Sequence, residues 1–377
     1  MPPVLMPGRL EKLFDLGREP EHADVDLATE VGGFAAPLPV YVSALGSTRA
    51  AGTDLKLAIA RQAGRLGIPM VIGENVIPID GYRGGQEASR SLCRALDVYF
   101  GEAGEDRGAV VVQQSTEDAD AEVWNLIYSD PAVAELVQLG RLGFELKVGQ
   151  GAKPGLGGMA IVSDETMARL RGRYRGEKMA GLGPRRSLRM ATPGTFTEEI
   201  LRSQIRLMRS NFPHCRTWVK LPPGRDVAIA AAIVWEAGAD AVVVDGAEGG
   251  TGLAPRAFLN HVGLPLGECL RRVRPAGNCL CASGRVWEGS RALKCLALGA
   301  RSVGLGRAAV LAVDENPTEG LCNLVEALEL ELRLLVSALG KYSVAEVSSE
   351  DLWPLGNQSE GDQLDPADRT SSLEGHV

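Results

Sequence analysis

Lys220 stands inside an otherwise apolar run, Trp218-Val219-Lys220-Leu221-Pro222, and an ammonium buried in a strand is costly unless something negative lies opposite it. A cation in that place can hold the negative charge that develops at the N1/O2 edge of a flavin ring on reduction. Its alternative reading is one half of an ion pair closing the rim of the sheet. Gln113 and Gln114 end another apolar run and carry the paired donor and acceptor groups that read a pyrimidine-like edge. Being neighbours on a strand, only one of the two can face inward. Glu74, in Gly73-Glu74-Asn75, is the carboxylate best placed for proton transfer or for binding an amino group, the alternative being an exposed loop residue. His261 reads as the organiser of a turn rather than as a base.

Glycine-rich loops surround these residues. Gly149-Gln150-Gly151-Ala152-Lys153-Pro154-Gly155-Leu156-Gly157-Gly158 lets backbone N–H groups approach an anion while Lys153 supplies charge. Asp245-Gly246-Ala247-Glu248-Gly249-Gly250-Thr251-Gly252 is a second such loop. Ser283-Gly284-Arg285 and Gly304-Leu305-Gly306-Arg307 lead into helical patterns at 290–298 and 308–313. Barrel phosphate sites are built from the loops after strands seven and eight and a helix N-terminus, so a phosphate-bearing cofactor or substrate is expected. Gly304-x-Gly306-x-x-Ala309 also fits a loose dinucleotide fingerprint, but it lies far from the opening βαβ unit in which that motif works.

Eight short β-branched runs must position these groups: 40–44, 70–73, 110–113, 144–148, 218–221, 241–245, 279–283 and 302–305. Each is followed by a polar or glycine-rich loop and then a helical pattern, for example 54–65 and 226–237, the latter stopped by Gly238. Eight continuous runs buried on both faces predict a closed parallel barrel, with a doubly wound sheet as the alternative. The candidate residues fall at the C-terminal ends of the runs, where barrel enzymes keep their sites. The gap at 149–216 reads as a lid-like insertion carrying a basic patch over 169–189. Residues 1–37 read as an N-terminal extension packed on the barrel, 38–350 as the barrel, and 351–377 as a mostly disordered tail. A helix is expected at 326–339 and a shorter packed piece at 343–355.

The 377 residues carry 40 Lys+Arg against 48 Asp+Glu, a net charge of −8, so no basic field exists to attract nucleic acid. The N-terminus lacks the pattern of a signal peptide. The longest apolar stretch, 227–247, is broken by Glu236 and Asp240 and is too polar to span a bilayer. A soluble, cytoplasmic protein without membrane or nucleic-acid partners is expected. Seven scattered cysteines without a C-x-x-C pair read as reduced packing residues, with Cys279 and Cys281 on one side of a strand. Four histidines without ligand spacing argue against a zinc site.

Three motifs carry a family resemblance. Gln150-Gly151-Ala152-Lys153-Pro154-Gly155-x-Gly157-Gly158, Gly246-x-x-Gly249-Gly250-Thr251-Gly252-x-x-Pro255 and Asn260-His261-x-Gly263-Leu264-Pro265 together resemble the FMN-binding synthase domain of glutamate synthase, a likeness covering roughly residues 38–350. The resemblance implies a TIM (β/α)8 barrel of the FMN-dependent oxidoreductase type. It places Ser43 and Ala44 near the flavin ring, Gln113 or Gln114 and Lys220 at its pyrimidine side, and Gly284, Gly306 and Arg307 at the phosphate. The remaining residues of the rim loops, Asp245, Gly249, Gly250, Thr251, Arg285 and Gly304, complete the cofactor set, while Glu74 and Lys153 contact substrate. Catalysis then falls to Glu74, Lys153 and Lys220.

The chain departs from the family in having no amidotransferase segment with an N-terminal catalytic Cys, and in having only Cys322 where three closely spaced cysteines hold a [3Fe-4S] centre. No iron–sulfur cluster is therefore expected. Met159 replaces a Gln, and Ala282-Ser283-Gly284 replaces Asp-Gly-Gly. Arg185, Arg186 and Arg189 are candidates to recognise a carboxylate in compensation, or form a solvated face. The expected activity is an FMN-dependent oxidoreductase moving hydride between flavin N5 and the carbon of an amine or imine in a small carboxylated substrate, alone or with a partner subunit or as a homo-oligomer. The alternatives are a flavin oxidase or redox isomerase of a specialised pathway, and a catalytically silent FMN-binding subunit.

Overall fold

Strands apolar on both faces are stable only where helices cover one side and a packed interior fills the other, and the computed structural model meets that demand. It describes residues 4–8, 18–45, 53–73, 86–115, 122–151, 160–170, 175–178, 185–190, 196–249 and 254–353. Eight strands, β1 (Val40–Leu45), β2 (Met70–Ile72), β3 (Val110–Ser115), β4 (Leu142–Lys147), β5 (Arg216–Leu221), β6 (Ala241–Asp245), β7 (Cys279–Ser283) and β8 (Ser302–Leu305), close into one barrel. All neighbours pair in parallel and β8 returns to β1. The eight strands are the eight runs legible in the sequence, with ends shifted by a residue or two.

Helices α1 (Thr53–Leu66), α2 (Gln86–Phe100), α3 (Glu122–Ser129), α4 (Glu198–Asn211), α5 (Val227–Glu236), α6 (Leu266–Arg272), α7 (Gly289–Ala297), α8 (Arg307–Glu315) and α9 (Gly320–Ala338) surround it. Their apolar faces meet the outward residues of the strands in one large core. Gly238 ends α5 with φ of +101°, the left-handed conformation that glycine adopts without strain.

The segment 149–216 is not all insertion. Thr197 Oγ1 accepts from Ile200 N, and α4 then buries Leu201, Ile205 and Met208, making it the ordinary crossover helix from β4 to β5. The added part precedes it: strands Ala160–Ser163, Arg186–Met190 and Arg175–Glu177 form an antiparallel sheet with a helix at Asp164–Leu170. Helix α9 starts six residues before the expected 326, because Leu321, Cys322 and Val325 are buried and extend its packed face. The expected tail begins within packed structure: Leu352–Trp353 pairs with Val4–Leu5, and Asp351 accepts from Lys341 Nζ at 2.6 Å. Residues 354–377 lie outside the described residues.

A hairpin from the N-terminal extension, Thr29–Val31 with Phe34–Ala36, closes the N-terminal mouth of the barrel. Its turn is Gly32-Gly33, both at positive φ, the conformation of a two-residue hairpin loop matched to strand twist. Trp218 fills the space above it, donating from Nε1 to Gly32 O at 3.0 Å and contacting Phe34 and Tyr41 edge to face or tilted. A Cβ on Gly32 would lie 2.3 Å from that indole nitrogen, so only glycine fits. Trp218→Ala leaves a cavity under the site and is expected to cost about 3–5 kcal/mol in chemical denaturation; a loss below about 1 kcal/mol would show that the hairpin, not the indole, fills the lumen.

Candidate functional site

Alternation along parallel strands divides the lumen into layers. Tyr41, Val71, Val111, Trp218, Val243 and Cys281 form an apolar layer with the hairpin. Two residues further along each strand, toward the C-terminal ends, stand Ser43, Gln113, Lys220, Asp245 and Ser283, all buried, with Gly304 beside them. Glu145, on β4 opposite Trp218 and Gln113, and Lys147, the next inward residue, complete this polar layer. A layer of buried charged, amide and hydroxyl groups from β1, β3, β4, β5, β6 and β7 thus sits on an apolar floor.

Lys220 Nζ lies 3.2 Å from Asp245 Oδ1. Beyond this ion pair neither carboxylate oxygen of Asp245, which is 1% exposed, makes a hydrogen bond among the described residues, so Oδ2 in particular is a buried acceptor available to a ligand's donors. Gln113 Nε2 donates to Glu145 Oε2. Lys147 Nζ donates to Gln150 Oε1 at 2.6 Å, and the hydroxyls of Ser43 and Ser283 are 3.1 Å apart. Burial pushes the Glu145 carboxyl up to about 7; Lys220, the Gln113 hydrogen bond and Lys147 oppose that rise while Asp245 adds to it. Burial likewise holds the Tyr41 phenol well above its ordinary range.

The polar layer opens into a small cleft, partly open to solvent, lined by Glu248, Gly249, Ser283, Gly284, Arg285, Trp287, Gly304, Gly306 and Arg307. Helix α8 begins here after Gly306 with no side-chain cap, so its first N–H groups and dipole favour an anion. A Cβ on Gly306 would meet nothing closer than Ser43 Cβ at 3.8 Å, which leaves open space beside that helix end. Arg285 holds φ of +51°, a conformation costly for a residue with a Cβ, as is common where a loop is shaped for a ligand. Glu248 is turned from the anion side by Arg291, 2.5 Å from Oε1, and by Leu266 N, 3.2 Å from Oε2.

Of the residues singled out in the sequence, Ser43, Gln113, Lys220, Asp245, Gly249, Gly284, Arg285, Gly304, Gly306 and Arg307 gather at this one end of the barrel. Gln113 takes the inward place, while Gln114, opposite Leu146, joins the outer layer. Ala44 is half-buried against the inner cluster, at a register irregularity between β1 and β2. His261 ends the helix Arg256–His261 on the surface. Glu74, Lys153, Gly250, Thr251 and Met159 lie outside the described residues. Cys279 and Cys281 do share a face, Sγ to Sγ 3.9 Å, and all seven cysteines are free thiols.

Sequence reasoning missed Glu145 and Lys147. The signal was present: in Leu142–Lys147 the two charged residues alternate with apolar ones, as Lys220 does in β5. Among the described residues no cluster of His, Cys, Asp and Glu could hold a metal ion, and no helix is long and apolar enough to cross a membrane.

Residues 135–325, spanning β4 to β8 and all three motifs, match the family described as the conserved region in glutamate synthase. The chain is 32% identical over 189 residues to the archaeal-type glutamate synthase [NADPH] of Thermotoga neapolitana, covering 45% of this chain and 34% of that protein. It is 33% identical over 189 residues to a glutamate synthase large subunit-like protein of Rhizobium meliloti, covering 46% and 40%. The chain therefore spans well under half the length of these curated relatives. A mandelate oxidase variant solved with a monooxide FMN adduct superposes with a TM-score of 0.54 at 18% identity, covering 94% of this chain and 88% of that one, a likeness of fold. With the conserved region occupying half of the chain and building the charged side of the lumen, this protein belongs to the glutamate synthase family.

Proposed function

We propose that the chain binds FMN at the C-terminal end of the barrel, and that the bound flavin exchanges hydride at N5 with the carbon of an amine or imine in an amino acid or related small carboxylated substrate. The observation that carries this reading is one buried polar layer, which holds the Lys220–Asp245 ion pair and the Gln113 amide, opening toward an uncapped helix N-terminus. That donor set fits a flavin mononucleotide from end to end. Lys220 and Gln113 hold the pyrimidine edge, and Lys220 stabilises negative charge there. Asp245 accepts from hydroxyl or N–H donors along the ligand, next to Gly249 and Ser43. The Gly284-Arg285 turn, Gly304, Gly306 and Arg307 receive the phosphate through backbone N–H groups and guanidinium charge. Ala44 lies against the ring. Glu74 moves the amine or imine proton, Lys153 contacts the substrate, and Gly250 and Thr251 belong to the cofactor set. The reading includes no iron–sulfur cluster and places the protein in the cytoplasm.

A visible absorption spectrum of the purified protein, followed by acid release of the chromophore, tests the cofactor. Flavin bands and released FMN support the reading; a colourless protein that fails to take up added FMN overturns it. Anaerobic bleaching by amines or amino acids, or reoxidation of the reduced protein by an imine or by a 2-oxo acid with an amine, tests the chemistry. Gly306→Ala separates binding from folding: its Cβ enters open space, so stability changes by less than about 1 kcal/mol, while FMN affinity falls by about tenfold or more as the cradle fills. Equal affinity for variant and parent would move the phosphate elsewhere.

A further inference from the structure

The flavin reading above gives no part to the carboxyl of Glu145, yet that group is buried against the amide assigned to the pyrimidine edge. Gln113 and Glu145 are register partners across β3 and β4, and Gln113 Nε2 donates to Glu145 Oε2. A carboxylate accepts and cannot donate. The nitrogen corner of the amide is therefore the one that faces β4, and the carbonyl corner is turned away from it. A flipped amide would set its carbonyl oxygen against the carboxylate, two acceptors in contact in a dry lumen, and leave a buried acceptor unsatisfied.

We propose that Glu145 is a positioning residue that fixes the amide of Gln113 so that the site offers an acceptor, and thereby selects a ring edge carrying an N–H donor. This rests on the reading given under Proposed function. The edge so selected is an imide, an N–H flanked by two carbonyls, which is the pattern of the flavin pyrimidine at N3. A ring alkylated at that nitrogen presents no donor to Gln113 Oε1 and binds more weakly.

The charge of Glu145 is set from all sides. Gln113 faces it from β3, Lys147 lies two residues along its own strand, Lys220 acts from β5 and Asp245 from β6, while Tyr41 of β1 and Cys281 of β7 are close enough to feel its charge. Lys220, Lys147 and the Gln113 hydrogen bond favour the carboxylate, whereas burial and Asp245 oppose it, leaving the group near pH 7. A protonated Glu145 can donate as well as accept, and Gln113 then has no single orientation. Selectivity for the N–H edge is strongest above that pH and declines below it.

The test compares the dissociation constants of FMN and of FMN methylated at N3, by quenching of flavin fluorescence, for the wild-type chain and Glu145→Gln. At about pH 8 the wild type prefers FMN by about tenfold or more, one buried hydrogen bond in value. Glu145→Gln keeps the shape but can donate or accept, and its preference falls to within about threefold. A purely structural role for Glu145 would weaken both ligands equally and leave the ratio unchanged, which overturns the proposal. Should the variant fail to fold, the wild-type ratio measured from about pH 8 to about pH 5.5 decides: a decline supports the proposal, and a constant ratio overturns it. A wild type that binds both flavins equally defeats the role of Glu145 alone, whereas one that binds neither defeats the FMN reading beneath it.

Discussion

Lys220→Met lowers the stability of the barrel by about 3–5 kcal/mol at pH 8, the range for removing one partner of a buried ion pair. The substitution keeps most of the side-chain volume, so packing contributes little and the loss is electrostatic. Lys220 is 6% exposed, 3.2 Å from Asp245 Oδ1, and the strongest influence keeping Glu145 ionised against burial. Without it, two carboxyls share a dry lumen, Lys147 is the remaining cation among the described residues that acts on Glu145, and the Glu145 carboxyl favours its neutral form. Part of the loss should therefore return at about pH 5.5, where the Glu145 carboxyl is protonated. Urea denaturation at the two pH values measures this, and FMN affinity should fall in parallel. A Lys220→Met chain as stable as the parent at pH 8 would mean that Lys220 is not the counter-charge of the lumen.

Wild-type stability itself depends on the Glu145 carboxyl. Its pKa rises from the ordinary 4.5 to about 7 on folding, so between those values the folded chain keeps a proton that the unfolded chain has released. Stability falls as pH rises wherever the folded state binds more protons. The contribution is fully present below about pH 4.5 and is lost as pH climbs through about 7, an amount of roughly 3 kcal/mol. Glu145→Gln has no such group. The difference in unfolding free energy between the variant and the parent, both without flavin, should therefore grow by that amount from about pH 4.5 to about pH 8. Taking the difference cancels every other titrating group that the two chains share. A difference independent of pH would place the Glu145 carboxyl at its ordinary acidity and remove the electrostatic argument for its burial.

What could be read along the chain was whatever depends on near neighbours. A strand buried on both faces requires a continuous apolar run, and eight such runs are printed plainly in the sequence; all eight became barrel strands. Gly238 marks a helix end because only a residue without Cβ takes that backbone freely. The segment before β5 was harder to divide. The helix Glu198–Asn211 reads in the sequence as part of the insertion at 149–216, and its place as a crossover helix shows only when Leu201, Ile205 and Met208 are seen to pack inward. The N-terminal hairpin that plugs the barrel could not be foreseen in its role, since Gly32 owes its necessity to Trp218, far away in the chain.

The sequence by itself determined the barrel, the end of it where the candidate residues gather, and the glycine and arginine loops beside them, because strand periodicity and loop composition are local properties. Only the tertiary structure decided that Gln113 rather than Gln114 faces the lumen, that Lys220 answers Asp245, and that Glu145 is the carboxyl against the amide. Those are matters of register between strands and of charge in a medium that excludes water, and both arise from residues brought together by closure of the sheet. The side chains of β4 carried their charge in the sequence from the start; its consequence appeared only when the barrel closed around them.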